Sequence, residues 1–404
     1  MHPASTPEPA QAPTGGPDPS RGIVRVPNPP IAEAGPPRIG ERVVRGGRAY
    51  RAVTFSWADA DPRARVLLHV NGLTDQHRAD VTPALLERVA PGVLAATVLI
   101  DERAAASYRF ASDPELPVDA GRTRDGWRRV HRLGVPDPHG AERIPNPLGD
   151  ASSVLTMPAA PVHPAWAAGA PVRTPGTLRT LVAHDPEHGP RSIRVWMPEG
   201  ARPGRLLVLF DGETWHGLGI ADALVRREGP PFAVALVDAI SLDVRARQLP
   251  DPVAAAALLE TQVLPALAGA GIRYAAEHTV VSGESFGGLA AAGIAITRPD
   301  LAGTAIARSG SFHFRADAAD PGGRPGAAGE PGTGDLAARL DRHPPAARLM
   351  LSAGDWEPVI APHARRFAEL AAARGFDAAF TPYAGGHDYA WWRHELFRSL
   401  DALR

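Results

Sequence analysis

The sequence predicts two folding units, a small all-β sandwich followed by an α/β unit whose mostly parallel sheet is covered by helices on both faces. Three observations carry that prediction. Short alternating apolar runs separated by polar turns fill residues 42–120, which is the pattern of a sandwich. From residue 177 onward strand-like and helix-like runs alternate, as a parallel sheet with crossover helices requires. Between two such runs lies Gly283-Glu284-Ser285-Phe286-Gly287, placed where a strand turns sharply into a helix.

Taken in order, residues 1–40 begin Met1-His2-Pro3-Ala4-Ser5-Thr6-Pro7 and are rich in Pro, Gly and Ala. With few large apolar residues to bury, this stretch is expected to be a disordered leader. Residues 41–175 are assigned to the sandwich and a connector. The sandwich strands are represented by Ala52-Val53-Thr54-Phe55-Ser56-Trp57, Val66-Leu67-Leu68-His69-Val70 and Ala95-Ala96-Thr97-Val98-Leu99-Ile100. Residues 136–175 form the connector, irregular because proline fixes φ and removes a ladder donor. Residues 176–404 are assigned to the α/β unit, with strands such as Leu206-Leu207-Val208-Leu209-Phe210 and Phe232-Ala233-Val234-Ala235-Leu236-Val237.

Composition narrows the chemistry. The 404 residues carry a net charge of −1, which argues against nucleic acid or an anionic membrane surface as the main partner. There is no cysteine, so disulfides, thiolate metal sites and a cysteine nucleophile are excluded together. All 43 basic side chains are arginine, so lysine Schiff-base chemistry is excluded as well. No apolar stretch approaches the ~18–20 residues of a bilayer span, and no secretory signal pattern opens the chain. A cytoplasmic protein without membrane insertion is expected. The histidines look scattered and no HExxH occurs, so no metal site is expected.

Ser285 is the candidate nucleophile. His278-Thr279-Val280-Val281-Ser282 reads as the strand before it, and residues 289–296 read as the helix after it. In an open α/β sheet the chemistry gathers beyond the carboxyl ends of the strands, so its partners are sought there. His387 follows Ala379-Phe380-Thr381-Pro382-Tyr383 through a Gly385-Gly386 loop and is the candidate base. Asp355 and Glu357 follow Arg348-Leu349-Met350-Leu351-Ser352, and pattern alone leaves the choice of acid open. The order serine, acid, histidine is that of α/β-hydrolases. The oxyanion donors are expected to be the Phe286 N–H and an N–H of Gly212 or Glu213, in the loop after an early strand.

These residues also carry a family resemblance. The chain resembles the enterochelin esterases from about residue 42 to its end. The likeness rests on Val70-Asn71-Gly72-Leu73-Thr74-Asp75-Gln76-His77, Pro145-Asn146-Pro147, Leu155-Thr156-Met157-Pro158-Ala159-Ala160-Pro161 and Phe210-Asp211-Gly212-Glu213-Thr214-Trp215. It continues through Arg245-Ala246-Arg247-Gln248-Leu249-Pro250, Ser285-Phe286-Gly287-Gly288 and Gly385-Gly386-His387-Asp388. The resemblance implies an immunoglobulin-like sandwich followed by a three-layer α/β-hydrolase of the esterase D type. It implies hydrolysis of the trilactone of ferric catecholate siderophores, with iron entering only as part of the substrate and no cofactor of the protein's own. It favours Glu357, at the family's Glu-Pro position, over Asp355.

An anionic aromatic substrate calls for guanidinium groups and large rings, so Arg245, Arg247, Trp215, Trp392 and Arg393 are expected to bind it. The competing reading of Trp391 and Trp392 is that they pack the last helix onto the sheet. Gln248 stands where the family usually has glutamate, the aromatic and Cys-Asn pair often found near 251–257 are missing, and Asp317–Gly334 is a longer insertion than expected. The alternatives are a broader feruloyl or acetyl esterase, and a siderophore binder without turnover.

Overall fold

The computed structural model describes residues 18–146, 149–200, 202–319 and 326–403. The chain divides into two compact units, Met1–Ala160 and Pro161–Arg404.

The N-terminal unit holds two five-stranded sheets. One orders Arg25–Val26, Val93–Asp101, Arg48–Ala58 and Arg38–Arg45, with Glu87–Ala90 also paired to Val93–Asp101. The other orders Val66–Val70, Ala105–Ser112, Gly149–Thr156 and Arg143–Asn146, with Gly134–Val135 also paired to Ala105–Ser112. These pairings are antiparallel. Side chains alternate between the two faces of a strand, so each sheet turns one set inward. Across the interior Phe55 meets Tyr108 edge-on with ring centroids 5.0 Å apart, and Trp57 meets Phe110 at 5.1 Å.

Two sequence expectations need correction here. The first 17 residues of the expected leader lie outside the described residues, but 18–40 are part of the fold. Arg25 and Val26 pair with Val98 and Thr97, Arg38 opens a strand, and Ile23, Val24 and Ile31 are buried. The average composition hid these three anchors among prolines. The connector also splits, since residues 161–175 belong to the second unit. There the His163 N–H donates to His394 Nδ1 at 3.0 Å, and Trp166 Nε1 donates to the Arg393 carbonyl at 2.9 Å.

In the second unit we label the strands β1 (Gly176–Asp185), β2 (Gly189–Pro198), β3 (Arg205–Phe210), β4 (Phe232–Val237), β5 (Thr279–Glu284), β6 (Thr304–Arg308), β7 (Arg348–Gly354) and β8 (Asp377–Tyr383). Its helices are α1 (Gly212–Gly217), α2 (Ile220–Arg226), α3 (Leu242–Gln248), α4 (Pro252–Leu258), α5 (Leu264–Gly269), α6 (Phe286–Thr297), α7 (Ile360–Ala373) and α8 (Tyr389–Asp401). The sheet runs β1-β2-β4-β3-β5-β6-β7-β8. It is mixed: β1 with β2 and β2 with β4 pair antiparallel, and the pairings from β4 with β3 through β7 with β8 are parallel.

The strand period of two sorts the core into two layers. Leu206, Val208 and Phe210 of β3 join Ala233, Ala235 and Val237 of β4 in one cluster, packed with α4, α6 and α7. Leu207, Leu209, Val234 and Leu236 face the other way, onto Trp215, Leu224, Leu396 and Phe397 of α1, α2 and α8. Both faces are therefore buried, which is why these strands read as unbroken apolar runs. The helical run Pro252–Gly269, interrupted by a π-turn at Leu259–Val263, is long and apolar enough to cross a membrane by length and composition. The expectation that no stretch comes close was wrong on this count; Ala255, Leu258, Leu259, Val263 and Leu267 are buried in the core of the unit.

Candidate active site

Strand β5 delivers Ser285 on a turn that few residues tolerate. Ser285 has φ 56° and ψ −120°, and α6 starts at the next residue. Such a conformation is strained for an L-residue and persists only when its surroundings enforce it. The enforcing contacts are backbone: the Ser285 N–H donates to Arg308 C=O at 3.1 Å, and its C=O accepts from Ser311 N–H at 3.0 Å and Leu289 N–H at 3.1 Å. A Cβ on Gly283 would stand 2.5 Å from the Gly287 carbonyl carbon, so the turn closes only over glycine. The Ser285 hydroxyl oxygen lies 3.4 Å from that of Ser311.

Beneath the turn is a charged plug. Glu284 and Arg308 are both fully buried and paired, with Arg308 Nε donating at 2.8 Å, while Trp215 Nε1 donates to the other carboxylate oxygen at 3.2 Å. Burial pushes the Glu284 carboxyl up, and Arg308 opposes the rise.

The loops after β7 and β8 are strapped together by main-chain bonds from Asp355 N–H to Tyr383 C=O (2.7 Å) and from Trp356 N–H to Gly385 C=O (3.1 Å). The strap brings Glu357 Oε1 to 2.6 Å from His387 Nδ1. The carboxylate is 4% exposed and the imidazole 38%, so the pair has one buried end and one end open to a ligand. Glu357 Oε2 accepts from Ser309 Oγ at 2.6 Å and from the Gly354 N–H at 2.7 Å. Of the two carboxylates the sequence left open, Glu357 makes this contact with the histidine. Nδ1 is thus the imidazole nitrogen that faces the carboxylate.

The loop after β3 opens α1 with Asp211 at φ 58° and Gly212 buried behind it. A Cβ on Gly212 would lie 2.5 Å from the Leu236 carbonyl carbon and 2.6 Å from the Val237 nitrogen, which shows how closely this loop is pressed onto β4. Glu213 Oε2 accepts from the Ala239 N–H at 3.1 Å, and burial raises its carboxyl.

The expected substrate-binding set is scattered by the fold. Arg245 makes a bidentate pair with Asp211 (2.5 and 2.6 Å) and donates to the Glu284 carbonyl at 3.2 Å, so it ties the α1 loop to the serine turn. Trp215 is fully buried with its N–H on Glu284, so its ring is closed to substrate. Arg393 is buried over the Trp166 ring. Trp392 is also buried, with its ring edge-on to His387 at 4.7 Å and its N–H on Ser309 at 2.9 Å. Trp391 stacks on Tyr383. The packing reading of the two tryptophans therefore holds, because α8 lies on the sheet and points both rings inward. Only Arg247 of this set is exposed; it lines a cavity of about 430 Å³ with Leu289, Phe314, Leu336 and Arg339.

Gln248 has a structural account. Its Oε1 accepts from Arg191 at 2.6 Å while its Nε2 donates to Asp185 at 2.8 Å, and a glutamate could not donate to that carboxylate. Residues 320–325 of the long insertion lie outside the described residues. Ser309, Gly310 and Ser311 were missed by sequence reasoning. They follow β6, and the rule that chemistry collects at strand carboxyl ends pointed there as well.

The histidines are not all scattered. In the N-terminal unit, His69, Asp75 and His131 present ligand atoms within 4.8 Å of one another, the one such group found among the described residues. Arg78 donates to Asp75 at 2.8 Å and buried Arg109 donates to His131 Nδ1 at 3.0 Å. Two guanidinium charges oppose a dication at that point, and the cluster reads as a hydrogen-bonded plug under Trp127, whose N–H bonds Asp75 at 3.2 Å.

Comparison with known proteins identifies the family. The family described as "Enterochelin esterase, N-terminal" matches residues 52–166, and that described as "Putative esterase" matches residues 188–403. The chain is 28% identical over 372 residues to the iron(III) enterobactin esterase of Escherichia coli O6:H1, covering 86% of this chain and 90% of the relative. It is 29% identical over 375 residues to the iron(III) salmochelin esterase of the same organism, with 89% of each covered. The crystal structure of the Shigella flexneri enterobactin esterase in the presence of enterobactin superposes with a TM-score of 0.73 at 25% identity, covering 92% of this chain and 96% of that one.

Proposed function

The chain belongs to the enterochelin esterase family, and from that premise we propose that it is a serine esterase that hydrolyses the lactone esters of ferric catecholate siderophores and so releases their iron. The observation that carries the reading is the Ser285 turn set among the strand ends that also present a His387–Glu357 pair 2.6 Å apart.

In the proposed reaction His387 Nε2 takes the Ser285 hydroxyl proton as the oxygen attacks the ester carbonyl. The carbonyl oxygen becomes an oxyanion held by the N–H groups of Phe286 and of Gly212 or Glu213. His387 then gives its proton to the departing seryl alkoxide, leaving an acyl-enzyme that water cleaves by the same steps in reverse roles. Glu357 holds the imidazole tautomer and balances its charge. No resident metal or cofactor is assigned; iron is the substrate's cargo, and it is released as cutting the scaffold costs three linked catechols their effective concentration.

The N-terminal unit is read as an immunoglobulin-like sandwich, and the site of action as the cytoplasm. The feruloyl or acetyl esterase alternative is disfavoured by the match to the enterochelin N-terminal family over residues 52–166. The test is chromatographic: ferric and iron-free enterobactin are incubated with wild type and Ser285→Ala, and linear trimer, dimer and monomer are followed. Product from wild type alone is expected. Absence of product from wild type, with Ser285-dependent cleavage of a simple aryl ester, would overturn the siderophore reading.

A further inference from the structure

We propose that Ser309 is a positioning residue of the reaction, the middle link of a one-way hydrogen-bond chain from Trp392 through Ser309 to Glu357 that fixes the carboxylate against His387. The proposal rests on the serine esterase reading of the site.

The direction of the chain follows from the chemistry of its members. An indole N–H only donates, so at 2.9 Å Trp392 makes Ser309 Oγ an acceptor. The Ser309 O–H then donates to Glu357 Oε2 at 2.6 Å. The Gly354 N–H supplies a second donor to the same oxygen, which leaves Oε1 for His387 Nδ1. Two donors on one oxygen fix the plane of the carboxyl group. The ring of Trp392, edge-on to the imidazole, limits His387 from the side.

The backbone supplies a second, independent observation. Ser309 is completely buried and sits at φ 45°, a left-handed conformation that favours glycine, with its N–H held by the Ser352 carbonyl at 2.7 Å. Glycine would fill this position with less strain, yet the residue present carries a hydroxyl aimed at the carboxylate. Strain kept at a site where a freer residue fits points to use of the side chain.

The decisive variant is Ser309→Gly, which deletes the hydroxyl and relieves the backbone. Full-length protein is assayed with p-nitrophenyl acetate and with ferric enterobactin, beside Ser285→Ala and thermal melting. Expected is a kcat lower by about ten-fold or more with KM changed less than about two-fold, in a protein that melts close to wild type. A residue that only supported the fold would lower the melting point and spare kcat per folded molecule. Trp392→Phe keeps the ring and removes the N–H. It is expected to lower kcat several-fold, and the double variant is expected to be no worse than Ser309→Gly alone, because the two act as one chain. Full kcat in folded Ser309→Gly, or in Trp392→Phe if the glycine variant does not fold, overturns the proposal, as does full additivity. Turnover surviving in Ser285→Ala would overturn the reading of the site itself, and the role of Ser309 with it.

Discussion

Replacing Glu357 by glutamine is the sharpest test of the site, because the structure leaves the amide no good orientation. Glu357 Oε1 faces His387 Nδ1 at 2.6 Å, and Oε2 accepts from Ser309 Oγ and the Gly354 N–H. If the amide oxygen replaces Oε1, the NH₂ group is driven against the Gly354 N–H, donor against donor. If the amide is flipped, the NH₂ group faces Nδ1 and selects the tautomer whose proton sits on Nε2, the atom that accepts from Ser285 in the proposed reaction. The first arrangement loses a hydrogen bond to a charged group, about 1.5–3 kcal/mol, and leaves a buried donor unmet, about 1–3 kcal/mol more. Those terms lower stability, and an imidazole held out of line or in the wrong tautomer is expected to lose roughly 10²–10⁴ in kcat/KM. The assay is steady-state hydrolysis of an aryl ester and of ferric enterobactin, with circular dichroism to show that the variant is folded. Asp355→Asn is the control, expected within about three-fold of wild type because Glu357 is the carboxylate that meets His387 Nδ1 at 2.6 Å. A folded Glu357→Gln within three-fold of wild type would refute the argument and leave a serine–histidine dyad.

Three further outcomes follow from packing and charge. Gly212→Ala sets a methyl 2.5–2.6 Å from the main chain of Leu236 and Val237, so it is expected to cost more than about 2 kcal/mol in urea unfolding; an unchanged midpoint would mean that the loop has room to retreat. Arg308→Met strands the buried Glu284 carboxylate under Ser285 and is expected to cost about 3–5 kcal/mol, with Glu284→Gln restoring part of it in the double variant. Equal urea midpoints for Arg308→Met and wild type would remove the plug from the account. Burial, ahead of like-charged neighbours, pushes His131 and His394 down to about 3 and His313 to about 4, against 6.5 for the free imidazole. The unfolded chain therefore binds protons that the native state refuses as pH drops below 6.5, and stability is expected to fall through pH 6 to 4, before most carboxylates titrate. A melting point flat from pH 7 to 5 would contradict this.

The local pattern announced the site's centre. Glycines bracketing a serine between a β-branched run and an Ala-rich run describe a turn whose sterics are nearly sequence-determined, and Ser285 is where that turn lies. The order of serine, acid and histidine after β5, β7 and β8 was also readable, since a strand run is short, continuous and bounded by glycine. Whether Asp355 or Glu357 meets the histidine was not decided by that pattern, because both sit in one loop; the main-chain strap between the loops after β7 and β8 selects Glu357.

What the sequence by itself determined, then, are the features set by neighbours along the chain: two units, apolar strands buried on both faces, and a strained serine turn. Tertiary structure alone decided the direction and partner of each side chain. Trp215 and Arg245 looked like ligand-binding groups, yet one is fully buried over Glu284 and the other is held by Asp211. Ile23, Val24 and Ile31 looked too sparse to order a leader, and a waiting sheet edge and core made them sufficient. Ser309 gave no local signal, since its use depends on Trp392 and Glu357 arriving from 83 and 48 residues away. The physical reason is the same in each case: burial and hydrogen-bond pairing are properties of groups that meet in space, and only the folded chain brings them together.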